Sequence, residues 1–259
     1  MIEIAGVDAF DDNYIWMVKN PTSSQAVAVD PGDEAPVLNW LQQHSCDLSA
    51  ILITHHHYDH VGGIPELREA YPEVAIYGPA GESIPGVTHP LGEGDRPQIA
   101  GLDAGFQVLE VPGHTVGHIA YFGEGVLFCG DTLFAAGCGR VFGGTFDQLS
   151  DSLQRIATLP GDTLVYCAHE YTLANLGFAE WVEPQNPDLV SRIEREREKR
   201  EAGAPTVPSI LSDELLTNPF LRTTVGSVVQ AAEDATGHDL TTPREVFTAL
   251  RQWKDSEYD

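Results

Sequence analysis

Seven consecutive residues, Thr54-His55-His56-His57-Tyr58-Asp59-His60, place four imidazoles and a carboxylate directly after the apolar run 50–53. A short run of Ala, Ile and Leu reads as a buried strand, so these polar groups leave the core together. Burying several imidazoles and a carboxylate without partners costs on the order of several kcal/mol. A divalent cation removes that cost, because neutral imidazole nitrogen and carboxylate oxygen are donors that zinc and related first-row ions accept. The alternation His55-x-His57 sets two imidazoles on one side of an extended segment. Asp59 and His60 point elsewhere as the chain turns into Gly62-Gly63. One run can therefore serve two adjacent ions.

Three later segments share the same grammar: an apolar strand, a small residue, then His or Asp. Residues 108–111 run into Pro112-Gly113-His114-Thr115-Val116-Gly117-His118, 126–129 into Gly130-Asp131-Thr132, and 164–167 into Ala168-His169-Glu170. Ligands at neighbouring strand ends converge on one edge of a sheet, where open α/β sheets place their sites. Three protein ligands per ion and a shared carboxylate leave room for water, the arrangement of a catalytic rather than a structural site.

The rest of the chain supports an α/β domain followed by helices. Strands are expected at 26–30, 49–54, 74–77, 106–111, 119–122, 125–129 and 163–167, each a short run of Val, Ile, Leu, Phe or Tyr bounded by Gly, Pro or Asp. Helices are expected at 35–43 and 64–70, and another starts at the capping box Thr145-x-x-Gln148. Beyond Glu170 the strand signal disappears. The spacing predicts helices over 171–182 and over 188–202, where Glu196 and Arg200 pair along a solvated face. A further helix ends at Gly237, and the last opens at Thr242-Pro243-x-Glu245 with Val246, Leu250 and Trp253 on one stripe. The expected division is residues 1–172 and 173–259.

Charge narrows the partners. Against 39 acidic residues stand 14 Lys and Arg, a net charge of −25, so a phosphate backbone finds no basic face. No apolar stretch is long enough for a membrane span. The opening residues lack a basic leader region, so no secretory signal is expected. Four cysteines without a Cys-x-x-Cys pattern read as buried thiols in a reducing cytoplasm. So acidic and lysine-poor a surface suits salty surroundings, where screening relieves self-repulsion.

The His-x-His-x-Asp-His signature resembles the metallo-β-lactamase superfamily, and further motifs narrow the likeness to its glyoxalase II branch. They are Asp12-Asn13-Tyr14-Ile15, Pro112-Gly113-His114-Thr115, Gly130-Asp131-Thr132, Gly137-Cys138-Gly139-Arg140, His169-Glu170-Tyr171-Thr172 and Asn218-Pro219-Phe220. The resemblance implies an αββα metallo-β-lactamase-like sandwich carrying the metals, with a C-terminal helical domain that binds substrate. It assigns one ion to His55, His57 and His114, the other to Asp59, His60 and His169, with Asp131 bridging. Zinc is the first expectation, and iron or manganese suits the same donors. The implied reaction is hydrolysis of an S-(2-hydroxyacyl)glutathione thioester, S-D-lactoylglutathione in the commonest case, to glutathione and a 2-hydroxy acid, the step that completes methylglyoxal detoxification. Asp59 and Asp131 would orient the metal-bound hydroxide. The rival within the superfamily is a glutathione-persulfide dioxygenase using a single iron.

Family likeness also implies that Arg251 and Lys254 hold the glycine carboxylate and that Tyr171 lies near the substrate sulfur. Being three apart, Arg251 and Lys254 share a helix face. The loop Gly139-Arg140-Val141-Phe142 departs from the family pattern of lysine followed two residues later by tyrosine. Arg140 keeps the charge and can fork onto a carboxylate. Phe142 lacks the hydroxyl and one hydrogen bond, worth about 0.5–1.5 kcal/mol. His118 is expected to support the site without ligating and His56 to point away. His44, His89 and His238 are expected to be solvated. The protein is expected to work as a cytoplasmic monomer.

Overall fold

The computed structural model describes residues 2–103 and 105–258, which form two compact units. The first comprises Met1–Glu110 with Val116–Gly130. Its larger sheet runs β1 (Glu3–Ala9), β2 (Asn13–Lys19), β3 (Gln25–Val29), β4 (Asp47–Leu52), β5 (Ala75–Pro79) and β6 (His89–Leu91) in spatial order. β1, β2 and β3 are antiparallel neighbours, whereas β3 through β6 are parallel. Parallel strands need crossovers, and α1 (Glu34–His44) supplies the one from β3 to β4. Asp33 caps it by accepting from Ala35 N. The short α2 (Tyr58–Val61) and α3 (Ile64–Ala70) lie between β4 and β5.

Val37 and Leu41 of α1 and Ile64 and Leu67 of α3 pack with Ile15, Met17, Ala28, Ile51 and Ile76 in one apolar cluster. Residues of opposite parity, Trp16, Val27, Ala50 and Leu52, are buried as well. A strand buried on both faces reads as a continuous apolar run, which is why the end of β4, Ala50 to Leu52, shows no alternation. A second sheet in this unit is the meander β7 (Gln107–Glu110), β8 (Ile119–Gly123) and β9 (Val126–Gly130). Two bonds tie β8 to the residues that follow the C-terminal end of β4: Ile119 N donates to Thr54 O and Tyr121 Oη to Ile53 O, both at 2.9 Å.

The second unit comprises Val111–Thr115 and Asp131–Asp259. It holds the hairpin β10 (Leu133–Phe134) and β11 (Gly137–Cys138), then α4 (Phe146–Ile156), β12 (Leu164–Cys167), α5 (Thr172–Val182) and α6 (Pro187–Glu201). After these come β13 (Ser209–Ile210), α7 (Leu211–Thr217), α8 (Gly226–Thr236) and α9 (Pro243–Trp253), and the chain winds on as a π-helical turn, Lys254–Tyr258. Both expected capping boxes form, at Thr145 and Thr242, and Gly237 closes α8 in the left-handed conformation.

Two expectations need correction. The solvated pairing of Glu196 with Arg200 does not form: Glu196 is buried and pairs with Arg195 and Lys199, while Arg200 reaches Glu170. The reason is local, for Glu196 lies on the same face as buried Leu189, Arg192 and Ile193. Strand structure also persists past Glu170, as the two-residue β13 pairs with β12.

Candidate active site

In the first unit the histidine-rich run leaves β4 and becomes α2, with His57 at its N-cap. His55 Nε2 and His57 Nδ1 face each other at 3.0 Å, and the His55 ring also lies 4.0 Å from that of His60. The buried ring of His118 stacks on His55 with centroids 4.6 Å apart. His56 turns outward, its Nδ1 2.8 Å from Glu82 Oε2. Asn13, the first residue of β2, donates to Asp59 Oδ2 at 2.9 Å, and the same oxygen lies 3.4 Å from His60 Nε2.

Asp30 is the residue whose part in this site the sequence reading missed. Its carboxylate accepts from Thr54 N at 2.8 Å and Thr54 Oγ1 at 2.7 Å, and stands 3.0 Å from His60 Nδ1. Part of the signal was present: Asp30 directly follows the apolar β3, as Asp131 follows β9, but without the intervening small residue. An ionised carboxylate only accepts, so His60 carries its proton on Nδ1 and turns the Nε2 lone pair toward Asp59.

The second unit repeats this logic. His114 Nδ1 lies 2.7 Å from Arg140 O, a pure acceptor, which leaves the lone pair on Nε2 facing Asp131 Oδ2 at 3.4 Å. The other oxygen, Asp131 Oδ1, faces His169 Nε2 at 3.3 Å. Gly113, at φ 146°, makes the turn into His114, and a Cβ there would overlap Leu149. Asp131 itself follows Gly130, where φ is 48° and a Cβ would overlap Thr54.

These side chains fit a metal ion. Two lone pairs facing each other repel unless a proton or a cation lies between them. A tetrahedral ion with bonds of about 2.0–2.1 Å separates its donors by roughly 3.3–3.4 Å, the spacing seen around Asp131 and between Asp59 and His60. Fixing the remote ring nitrogen on a carboxylate or a carbonyl is how proteins hold a ligating imidazole in its tautomer. Each Asp131 oxygen serves a different imidazole, the disposition that a bridging ligand requires.

His114 and Asp131 also line a cavity of about 470 Å³ in the second unit, together with Arg140, Phe142, Tyr171, Arg251 and Lys254. Tyr171 stacks flat on His169 with centroids 4.7 Å apart, and Phe142, largely exposed, sets its edge against His114. Arg251 and Lys254 are buried, so they do not merely solvate a helix end. Arg251 Nη1 donates to Cys138 O at 3.0 Å, and Lys254 Nζ lies over the Tyr258 ring. His44, His89 and His238 are exposed. All four cysteines are free and buried.

The chain is similar to known proteins. Residues 10–169 match the family described as "Metallo-beta-lactamase superfamily", and residues 170–257 match "Hydroxyacylglutathione hydrolase C-terminus". A relative named hydroxyacylglutathione hydrolase from Nitrosomonas eutropha is 51% identical over 256 residues, covering 99% of both chains. One of the same name from Alkalilimnicola ehrlichii is 53% identical over 98% of this chain and 99% of its own length. Among solved structures, BLEG-1 B3 metallo-beta-lactamase superposes with a TM-score of 0.64 at 23% identity, covering 85% of this chain and 99% of its own, and shares the fold. TTHA1623, described in a di-iron-bound form, has a TM-score of 0.54 at 31% identity over 64% of this chain and 91% of its own. The metallo-β-lactamase fold, the helical C-terminal region and full-length likeness to relatives of one name agree: the chain belongs to the hydroxyacylglutathione hydrolase family of the metallo-β-lactamase superfamily.

Proposed function

We propose that this protein is a binuclear metal-dependent hydrolase of S-(2-hydroxyacyl)glutathione thioesters, releasing glutathione and a 2-hydroxy acid, with S-D-lactoylglutathione giving D-lactate. One observation carries the reading: the cavity lined by His114 and Asp131 is also lined by the three cations Arg140, Arg251 and Lys254. Metal donors and carboxylate receptors thus share one wall, as an anionic thioester requires. Full-length relatives named hydroxyacylglutathione hydrolase support the same substrate.

In this reading His55, His57 and His114 hold one ion, Asp59, His60 and His169 the other, and Asp131 bridges. The di-iron form of TTHA1623 supports a pair of ions, zinc being our first assignment, with iron and manganese the alternatives. Two such ions would supply an acidic water near neutral pH and polarise the thioester carbonyl. Asp59, steadied by Asn13, and Asp131 orient the attacking water. Arg140, Arg251 and Lys254 take glutathione carboxylates, and Tyr171 and Phe142 flank the thioester. The departing thiolate has a conjugate acid of pKa about 8.5, so no dedicated general acid is needed.

Residues 1–172 would carry the metals together with Arg140, Phe142 and Tyr171, and 173–259 would add Arg251 and Lys254 as a helical substrate-binding domain. We place the protein in the cytoplasm, a reading its four free buried thiols support, and take it to act as a monomer. No helix among the described residues is long and apolar enough to cross a membrane. The test is turnover of S-D-lactoylglutathione by protein of measured metal content, compared with other thiol adducts. Hydrolysis that chelators abolish and metal restores is expected. Oxygen uptake with glutathione persulfide, without thioester cleavage, would overturn the reading in favour of the dioxygenase.

A further inference from the structure

The cationic wall already holds a carboxylate of this chain. The π-helical turn after α9 carries Asp255 back onto Arg251, where Oδ1 accepts from Nη2 at 2.9 Å and Nε at 3.1 Å. The same oxygen stands 3.7 Å from Arg140 Nε. Arg251 gives its remaining nitrogen, Nη1, to Cys138 O and lies with its guanidinium over the Phe220 ring. A guanidinium edge offers two parallel N–H groups to one carboxylate. On Arg251 that edge is occupied, and the side chain is buried too deeply for a second carboxylate to reach it from elsewhere.

We propose that Asp255 is an internal competitor for the carboxylate-binding wall, setting how tightly the cavity holds anionic ligands. Arg251 is buried but its partner Asp255 is one-third exposed, and the contact of Asp255 with half-exposed Arg140 is open to water and weak, so an incoming carboxylate can take its place on the wall. While in place, Asp255 reduces the charge of the wall from three cations to a net of two. Product as well as substrate meets this competition. Glutathione keeps both carboxylates after the thioester is cut, so the device that weakens substrate binding also speeds product departure. The inference takes its ligand from the thioester-hydrolase reading, whereas its geometry stands independently.

Asp255→Asn tests it, since the amide keeps an acceptor oxygen for Arg251 and removes only the charge. KM for S-D-lactoylglutathione should fall about threefold or more, as should the Kd of S-methylglutathione measured by calorimetry. Product inhibition by glutathione should tighten in parallel, while a neutral N-acetylcysteamine thioester shows no change in kcat/KM. Were Asp255 a brace for Arg251, KM and Kd would rise, and either a rise or no change in Kd overturns the proposal. A wild-type protein inert toward the thioester, combined with tighter S-methylglutathione binding in the variant, would refute the hydrolase reading and leave the Asp255 assignment standing.

Discussion

Replacing Asp30 with asparagine should separate metal affinity from folding. The two residues have the same shape, but one carboxylate oxygen becomes an amide nitrogen. If the retained oxygen stays with Thr54 N, the new NH2 takes the place of Oδ2 and faces Thr54 Oγ1 and His60 Nδ1. The threonine hydroxyl can accept from the new amide, but its own hydrogen loses Oδ2 and cannot turn to His55 Nδ1, 3.1 Å away, which carries the proton whenever His55 ligates through Nε2. His60 can accept from the amide only by moving its proton to Nε2, the nitrogen that faces Asp59. The flipped amide is worse, because it opposes a backbone N–H that has no second tautomer. Losing such a supporting contact typically lowers metal affinity about 10–100-fold, or roughly 1.4–2.7 kcal/mol. Two hydrogen bonds to a charged acceptor are weakened, so stability should drop by about 3 kcal/mol before relaxation, well within the 5–15 kcal/mol typical of a folded protein. The assay is chelator competition on folded, metal-loaded protein, alongside nitrogen NMR of the His60 ring in the metal-free state. Wild-type metal retention with the Nδ1–H tautomer preserved would refute this account of Asp30.

Thr242→Ala removes the side-chain acceptor for Glu245 N at the start of α9 and should cost about 1 kcal/mol, seen as a lower denaturant midpoint at unchanged slope. An unshifted midpoint would mean that the cap contributes nothing. Burial pushes the Cys138 thiol up to about 11 and the Cys167 thiol to about 12, so both should resist iodoacetamide in native protein at neutral pH. Mass spectrometry showing either labelled at the rate of a free thiol would contradict their protonated state. For Glu183, burial alone pushes the pKa up, but hydrogen bonds from Arg222 and Ser227 and the Arg222 charge outweigh it, holding the carboxyl below 4.5. A depressed carboxylate stabilises the fold above its ordinary pKa and loses that contribution as the pH falls through the folded value. Glu183→Gln should therefore lower the denaturation midpoint near neutrality and differ progressively less from wild type in acid, and a gap constant with pH would exclude this pairing.

What the sequence made legible follows from the range of the interactions. The histidine run stood out because its side chains are neighbours in the chain, and α3 emerged over 64–70 as expected because its apolar spacing is local. Asp30 and Asn13 escaped notice as parts of the site because their partners are 24 to 46 residues away. The hairpin of β1 and β2 was hidden by its turn. Phe10 adopts the left-handed conformation at φ 51°, a position where glycine or asparagine would have announced the reversal. α7 gave no apolar rhythm because Glu214 and Thr217 occupy its buried face, where they bond to Arg192. Nothing in the sequence marked Asp255, because the π-helical turn is what sets it against two arginines.

Asp131 joins two imidazoles through opposite oxygens of one rigid carboxylate. If Asp131 bridges two cations as proposed, orienting that carboxylate for the first also orients it for the second, so the entropy of fixing the side chain is lost once rather than twice. Protein supplied with a single equivalent of metal should sort into filled and empty molecules, with few that are half-loaded.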